Sequence, residues 1–167
     1  VRGILMSLDF DGTDDVVDHG DIAGMDGAAA LTIAFWANPD VVNVWRGITT
    51  KESGANDTGM IEHRFVADGD IFWRATNVTY GYTAGGKLAV GTWTYITCWF
   101  DGSGTGNAGR WKIYVGGVDQ TLTFAGTIPA TLPDTGATSF KVGRSVENGF
   151  FNGRIALLKM WTAALTP

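Results

Sequence analysis

Short runs in which apolar and polar side chains alternate recur along the chain, with a period near two. The clearest are residues 31–37 and residues 92–100, and the second run places Ile96, Cys98 and Phe100 on one face. Each run stops at glycine, proline, aspartate or asparagine, which favour turns, and helical spacing of apolar residues is nearly absent. The pattern therefore predicts short, half-buried β-strands joined by turns.

A hairpin is predicted at the end of the second run. It continues through a glycine-rich loop, residues 102–109, into residues 110–115, where Trp111, Ile113 and Val115 face inward. The further strands predicted by the same pattern are residues 7–10, 16–18, 47–51, 59–66, 70–76, 120–124, 139–142 and 153–161. A spacing of about 8 to 12 residues between strands is typical of a β-sandwich or barrel.

The composition supports this all-β prediction. Glycine occurs 24 times and only 17% of the residues are charged, a balance that suits many tight turns better than amphipathic helices. With 167 residues, of which 45% are hydrophobic, the chain has enough apolar material for one core, so we predict a single domain over residues 1–167. Cys98 is the only cysteine, which excludes an intramolecular disulfide, and we expect it to be a small buried apolar residue.

The charge and hydropathy of the chain exclude two kinds of partner. The formal net charge is -5 and there is no run of lysine or arginine, so we expect no nucleic-acid partner. No apolar run approaches the ~18 residues that a transmembrane helix needs, so we expect no membrane insertion. The opening residues lack a signal-peptide pattern. We expect an extracellular, cell-surface or virion-associated protein whose signal was removed or belongs to a larger parent chain.

The order of the segments resembles the laminin G-like domain of the concanavalin A-like lectin and glucanase superfamily. Residues 8–17 are similar to the family's first strand, turn and second strand, and residues 31–39 to its aromatic strand ending in proline. The other matching pieces are residues 91–102, 112–118, 142–144, 151–155 and 161–165. The resemblance implies an all-β fold: a two-sheet antiparallel β-sandwich of the jelly-roll, concanavalin A-like type.

Such a sandwich makes two predictions about packing. The first and last strands lie side by side in this fold, so residues 7–10 should neighbour residues 155–160 and tie down both ends of the chain. The side chains that point between the two sheets should include four isoleucines, Ile33, Ile96, Ile113 and Ile155.

Aspartate is concentrated near the start of the chain. Asp11, Asp14 and Asp15 place three carboxylates around one turn, and calcium takes six to eight oxygen ligands, so one hypothesis is a calcium site. The resemblance points to Asp14 or Asp15 as a ligand. The alternative is that these carboxylates accept hydrogen bonds within the turn. Many family members carry an Asp-Glu pair where this chain has Ala156 and Leu157, and that departure favours the alternative.

The acidic residues do not form a catalytic pair. Glucanases of the resembled superfamily present a Glu-x-Asp-x-Glu motif on one strand face, and the chain lacks this motif. Glu52, Glu62 and Glu147 are its only glutamates. The two histidines, His19 and His63, are too few for a three-histidine zinc site, and no Gly-x-Ser-x-Gly motif is present. We therefore predict that the protein is not an enzyme.

Surplus aromatic residues indicate carbohydrate binding, because aromatic rings can stack on the apolar faces of sugars. Trp36, Trp93 and Trp111 follow strand patterns that indicate core positions. Other rings fall where a sheet face or rim could present them, and burial in the core is the alternative for each. The candidate ligand-binding residues are Trp45, Arg46, Trp73, Arg74, Asn77, Tyr80, Tyr82 and Trp99.

We predict a noncatalytic recognition module that binds a glycan or cell-surface polysaccharide, with calcium as a candidate cofactor. Another protein chain is the alternative partner. A structural or assembly domain, such as a virion or cell-surface decoration protein, would bury a sandwich face in an interface. Calcium or an oligosaccharide would raise the melting temperature of a binding module, whereas light scattering would detect a stable oligomer.

Overall fold

Short β-strands account for most of the regular structure. The computed structural model describes residues 6–52, 60–65, 67–76, 78–145 and 149–165. Its strands are β1 (Ser7–Asp11), β2 (Val17–Asp21), β3 (Ala30–Pro39), β4 (Arg46–Glu52), β5 (Met60–Phe65), β6 (Ile71–Thr76), β7 (Thr79–Thr83), β8 (Thr94–Asp101), β9 (Trp111–Val115), β10 (Val118–Asp119), β11 (Leu122–Ala125), β12 (Ser139–Val142), β13 (Arg144–Ser145), β14 (Gly149–Phe150) and β15 (Asn152–Trp161). The helices are the α-helix α1 (Gly106–Arg110) and two 3-10 turns, Ala23–Met25 and Ala67–Gly69.

The strands form two large antiparallel sheets. Sheet A has the order β1-β15-β3-β8-β9-β10, and sheet B has the order β11-β7-β6-β5-β4-β12-β2. β13 and β14 form a separate two-stranded sheet against β4. The core lies between sheets A and B and draws buried residues from both. These features confirm the predicted all-β, two-sheet antiparallel β-sandwich.

The alternation of side chains along the central strands of sheet A creates half of this core. β3 pairs with β8, and β8 pairs with β9, so their inward residues stand side by side. Ile33, Ile96 and Ile113 are fully buried and Ile155 is 2% exposed, as the period-two pattern predicted. Complete burial of such side chains contributes about 1.5–3 kcal/mol each to folding.

The two ends of the described chain meet at one edge of sheet A. β1 pairs antiparallel with β15, with Leu8 opposite Ile155 and Asp11 opposite Asn152. This register confirms that the first and last strands are neighbours. At the other end of β15, Thr32 Oγ1 donates a hydrogen bond to the carbonyl of Ala163 at 2.7 Å, which holds the chain after β15 against β3.

The sequence prediction missed the short strands β10, β13 and β14, and it also missed β7 and α1. β7 was missed because Gly81 interrupts its apolar pattern, and glycine is unfavourable inside strands. In the fold the absent side chain makes room for the Phe124 ring, which would lie 3.0 Å from a Cβ at Gly81. The loop of residues 102–109 contains the start of α1, which Asn107 anchors by hydrogen bonds to Gly126 and Ile128.

Within the described ranges, no helix is long and apolar enough to cross a bilayer.

Candidate functional site

The acidic turn, formed by Asp11, Asp14 and Asp15, begins at the last residue of β1. One carboxylate oxygen from each residue lies within 4.8 Å of the others, and all three residues are exposed. Asp11 Oδ1 accepts a hydrogen bond from the Thr13 amide at 2.7 Å, and Asp15 Oδ2 accepts one from the Asp11 amide at 2.8 Å. Two of the carboxylates therefore hold the turn, as the alternative interpretation predicted, while one oxygen of each stays outside these bonds.

The same turn has a donor set that suits calcium. Calcium–oxygen bonds are about 2.3–2.6 Å long, so ligand oxygens around one ion lie up to about 5 Å apart, and the separation in the acidic turn is within that limit. Gly12 has φ of +80°, and a Cβ there would meet Asn152 at 2.9 Å. Asn152 thus packs on the turn and limits its conformations. Backbone carbonyls and water would have to complete the coordination.

Aromatic rings cluster on the outer face of sheet B, the face turned away from the core. Phe72 is at the centre: its ring centroid lies 4.8 Å from that of Tyr80, 6.2 Å from that of Tyr82 and 6.1 Å from that of Trp45. With Asp70 they line the aromatic hollow, an open depression of about 300 Å³. Trp45 is 43% exposed and Asp70 is 9% exposed, so the hollow combines an open ring with a more deeply set carboxylate.

The register of β6 and β7 explains why these rings meet. Phe72 lies directly opposite Tyr82, and Arg74 lies directly opposite Tyr80. Residues directly opposite one another on an antiparallel pair share a face, and diagonal neighbours remain within reach of large rings. Tyr80 and Tyr82 therefore both contact Phe72. Of the predicted binding residues, Trp45, Tyr80 and Tyr82 line the same hollow.

Two predicted ligand-binding residues on β6 require correction. Trp73 is fully buried and packs edge-to-face on Trp111 in the core, with ring centroids 4.2 Å apart, because it has the opposite strand parity to Phe72. Arg74 shares the outer face with Tyr80, yet it is only 3% exposed. Trp73 is a core residue, and Arg74 lies beneath the surface rather than presenting an open guanidinium.

The remaining predicted residues are dispersed. Trp99 lies on the outer face of sheet A, with Lys112 Nζ 5.9 Å from its ring centroid, so it belongs to the opposite side of the sandwich and not to the hollow. Arg46 extends toward β14, where its Nη1 would lie 3.5 Å from a Cβ at Gly149. Asn77 lies outside the described residues. The predicted set is therefore not one site.

Two tryptophans expected in the core lie on the outer face of sheet A instead. Trp36 is partly exposed and packs beside Tyr95, with ring centroids 5.3 Å apart. Trp93 is also partly exposed and lies under the guanidinium of Arg154, at 5.7 Å. Trp36 faces outward because it alternates along β3 with Phe35 and Ala37, which point inward and fill the core positions.

Phe72 and Asp70 were missed as site residues. The sequence pattern that could have identified them is the period-two spacing of positions 70, 72 and 74, which places these residues on one strand face. Tyr80 and Tyr82 have the same spacing in the next strand. The pairing of β6 with β7 had to be known before this signal could be used. Cys98, by contrast, behaves as expected: it is fully buried, and burial raises the pKa of its thiol, so it is not a nucleophile.

Comparison with known proteins identifies the family. The family model of the concanavalin A-like lectin/glucanases superfamily, in its laminin G form, matches residues 11–167. The chain therefore belongs to this superfamily, as the sequence resemblance predicted. No curated protein sequence matches the chain significantly.

Solved structures with the same fold include carbohydrate-binding proteins. Domain 4 of AbnA, a GH43 extracellular arabinanase from Geobacillus stearothermophilus in complex with arabinotriose, has a TM-score of 0.64 at 20% identity, covering 99% of this chain and 78% of that chain. The CBM40 of the Ruminococcus gnavus IT-sialidase, bound to α2,3 sialyllactose, has a TM-score of 0.66 at 12% identity, covering 96% and 93%. The heptameric SAP-like pentraxin from Limulus polyphemus has a TM-score of 0.61 at 16% identity, covering 96% and 77%. At these identities the likeness concerns the fold.

Proposed function

We propose that the protein is a noncatalytic glycan-recognition module and that the aromatic hollow on sheet B holds a sugar ring. The observation that carries this proposal is the convergence of Trp45, Phe72, Tyr80 and Tyr82 on one open depression with the Asp70 carboxylate among them. Family membership and the carbohydrate-binding neighbours support it. Domains of this fold serve several functions, so the hollow and not the fold is the basis for the choice.

The chemistry of the hollow suits a sugar. Sugar rings have apolar C–H faces and polar hydroxyl edges, and tyrosine and tryptophan combine an apolar body with a polar tip. Trp45, at 43% exposure, offers a ring face to a ligand without moving. Asp70 is set among the rings, and its carboxyl oxygens can accept hydrogen bonds from ligand hydroxyls. A few polar groups within an apolar lining are typical of small-ligand sites.

We further propose that calcium binds the acidic turn. The three clustered carboxylates support this assignment, and the ion would neutralise their mutual repulsion.

We infer that residues 1–167 form a single domain, supported by the family match over residues 11–167 and by the common core of the two sheets. We also propose an extracellular glycan or polysaccharide partner, in line with the extracellular arabinanase among the structural neighbours.

The decisive experiment is titration calorimetry of the whole chain with arabinotriose, preceded by an array of neutral oligosaccharides. For the sugars that bind, Trp45→Ala and Tyr82→Ala are expected to weaken affinity at least tenfold, which corresponds to about 1.4 kcal/mol each. Both side chains are partly exposed, so the thermal melt should stay close to that of the wild type.

The matched control is Val118→Ser, which removes an apolar side chain that is 63% exposed on β10 of the other sheet. This control should bind as the wild type does. Unchanged affinity in both aromatic variants would contradict the assignment of the hollow. A stable oligomer in light scattering that dissociates in the Trp45 variant would instead favour a protein interface.

A further inference from the structure

The outer face of sheet A carries a straight row of residues across four strands. Lys159 on β15 lies opposite Ala34 on β3, Ala34 lies opposite Thr97 on β8, and Thr97 lies opposite Tyr114 on β9. With strands about 4.8 Å apart, the row extends about 14 Å from Lys159 to Tyr114. Ala34 and Thr97 are small, so the middle of the row is lower than its surroundings.

Aromatic side chains border this low row on both sides. On one side of the row, two residues from Ala34 along β3, Trp36 lies opposite Tyr95 of β8. On the other side, two residues from Ala34 in the opposite direction, Thr32 lies opposite Trp161 of β15. Side chains stand roughly perpendicular to a sheet, so the rings form walls. The resulting depression between Tyr95 and Trp161 has a volume of about 350 Å³, and a second one of about 220 Å³ adjoins it at Tyr95 and includes Lys159. We call the two together the trough.

Lys159 is brought to the trough by a β-bulge. Between the pairs Ala156–Trp36 and Lys159–Ala34, β15 has one residue more than β3, and Leu157 adopts φ of +51° there. A non-glycine residue in this conformation is uncommon, and bulges redirect side chains. The extra residue places Lys159 on the outer face, in line with Ala34.

Lys159 is the charged residue that lines the trough. Lys159 is exposed and has no salt bridge within the part of the chain that the structure describes. At the opposite end, Lys112 is neutralised by Asp119, at 2.9 Å. Beyond the trough, the guanidinium of Arg154 lies 5.7 Å from the centroid of the Trp93 ring. A chain of net charge -5 thus presents an uncompensated cation beside aromatic rings.

We propose that the trough is a second binding site and that its ligand is an acidic oligosaccharide, a chain of sugar rings bearing a carboxylate. The carboxylate pairs with Lys159, and the adjoining rings lie between the Tyr95 and Trp161 walls, where the Thr97 and Tyr114 hydroxyls reach their edges. This site goes beyond the function proposed above, because it lies on the opposite sheet and shares no residue with the aromatic hollow.

Size and charge favour this ligand over a protein partner. A concave volume of about 350 Å³ lies at the lower end of the range for small-molecule sites, about 300–1,000 Å³. A stable protein interface needs about 800 Å² from each partner. A charge at one end of an otherwise uncharged lining also fits a ligand with one anionic group per repeat, since charge complementarity fixes orientation.

The test measures binding of the whole chain to trigalacturonate, a hyaluronan tetrasaccharide and α2,3 sialyllactose, each compared with its carboxyl methyl ester. The wild type is expected to bind at least one acid at least fivefold more tightly than its ester, and to lose this preference at high salt because screening weakens the ion pair. Lys159→Gln should abolish the preference while leaving affinity for the ester unchanged. Thr97→Trp, which fills the trough, should weaken both ligands at least tenfold.

Two controls distinguish binding in the trough from a general charge effect and from binding in the hollow. Arg154→Gln removes another exposed cation of the same face outside the trough, and Trp45→Ala disables the hollow on sheet B; neither should change the preference for the acid. Circular dichroism and thermal melts check that each variant folds. Failure of every acid to bind at millimolar concentration overturns the proposal. So does an equal effect of Arg154→Gln, or an oligomer that Thr97→Trp dissociates.

Discussion

Two groups of aspartates near the start of the chain have opposite surroundings. The acidic turn of Asp11, Asp14 and Asp15 is exposed, and none of the salt bridges among the residues that the structure describes involves it. Asp26 and Asp21 instead surround the fully buried Lys51, whose Nζ lies 2.8 Å from both carboxylate oxygens of Asp26 and 3.1 Å from Asp21 Oδ1. The first group is available to an external cation, whereas the second already contains one supplied by the fold.

Lys51 also shows why such a buried charge is tolerated. Its ammonium group donates to Thr135 Oγ1 at 2.5 Å and to the Gly136 carbonyl at 3.1 Å, so its hydrogens are satisfied. Thr135 in turn donates from its amide and hydroxyl to Asp26 Oδ1. The cluster joins β4 to the segments around Asp26 and Thr135. Acidic residues in one stretch of sequence therefore have different roles, decided by which cations reach them.

Removal of the internal cation should have the largest effect. Lys51→Met leaves Asp26 in place without its partner, and breaking a buried pair in this way costs about 3–5 kcal/mol. We expect a loss near the lower limit, because 15% of the Asp26 side chain remains exposed. Urea denaturation measures it. The double variant Lys51→Met/Asp26→Asn should recover part of the loss; a single variant as stable as the wild type would show that the cluster is not structural.

Acid should act mainly on the internal group. Burial alone would raise the pKa of Asp26, but hydrogen bonds from Lys51 and Thr135 outweigh burial and leave the pKa below its usual value. The native state thus binds this proton less tightly than the unfolded chain, so the stabilisation is present above the unfolded pKa of about 3.9 and is lost as pH falls through the folded value.

The unfolding free energy should therefore be less steeply pH-dependent below about pH 4 in Asp26→Asn than in the wild type. Asp14→Asn makes the same charge change in the acidic turn and serves as the control. Denaturation curves measured over a pH series provide the comparison. Identical slopes in the wild type and Asp26→Asn would refute the contrast between the two groups.

Calcium should act mainly on the exposed group. At a free concentration ten times its Kd, an ion that binds only the native state adds about 1.4 kcal/mol, which raises the Tm of a domain of this size by about 3–6 °C. Asp14→Asn should remove the rise, and Asp26→Asn should retain it. Differential scanning calorimetry with calcium, with magnesium as the comparison ion, decides the matter. A rise that survives Asp14→Asn would place the ion elsewhere.

Without calcium, the smallest effect is expected from Asp14→Ala. No hydrogen bond of the turn involves the Asp14 side chain, since Asp11 and Asp15 supply both of the carboxylates that hold it. Surface substitutions of this kind change stability by less than about 0.5 kcal/mol. Chelator-treated protein compared by urea denaturation tests this expectation. A larger loss would mean that Asp14 has a structural role.

Strand prediction succeeded where burial follows local alternation. The residues of β3, β8 and β9 repeat inward and outward side chains, and burial on one face requires that repeat wherever the strands pair. β7 and α1 escaped prediction because their glycines are unfavourable for strands and helices. The Phe124 ring packs against Gly81 and stabilises β7. The hydrogen bonds of Asn107 to residues 126 and 128 hold α1.

The sequence predicted the types of residue in the candidate site, but it did not predict which of those residues lie together. Sequence alone marked Trp45, Tyr80 and Tyr82, which line the hollow. It also marked Trp73, which is fully buried, and Trp99, which lies on the other sheet. Strand parity distinguishes the two faces of one strand, but which face meets the core depends on how the sheets stack.

By itself the sequence determined the all-β architecture, the principal core positions and the absence of the glucanase Glu-x-Asp-x-Glu motif, because these follow from period-two burial and from residue identity. Only the tertiary structure decided that Phe72 joins the tyrosines, that Lys51 lies between Asp21 and Asp26, and that a bulge aligns Lys159 with Ala34. Each of these depends on the register between strands far apart in the chain, and local patterns carry no information about that register.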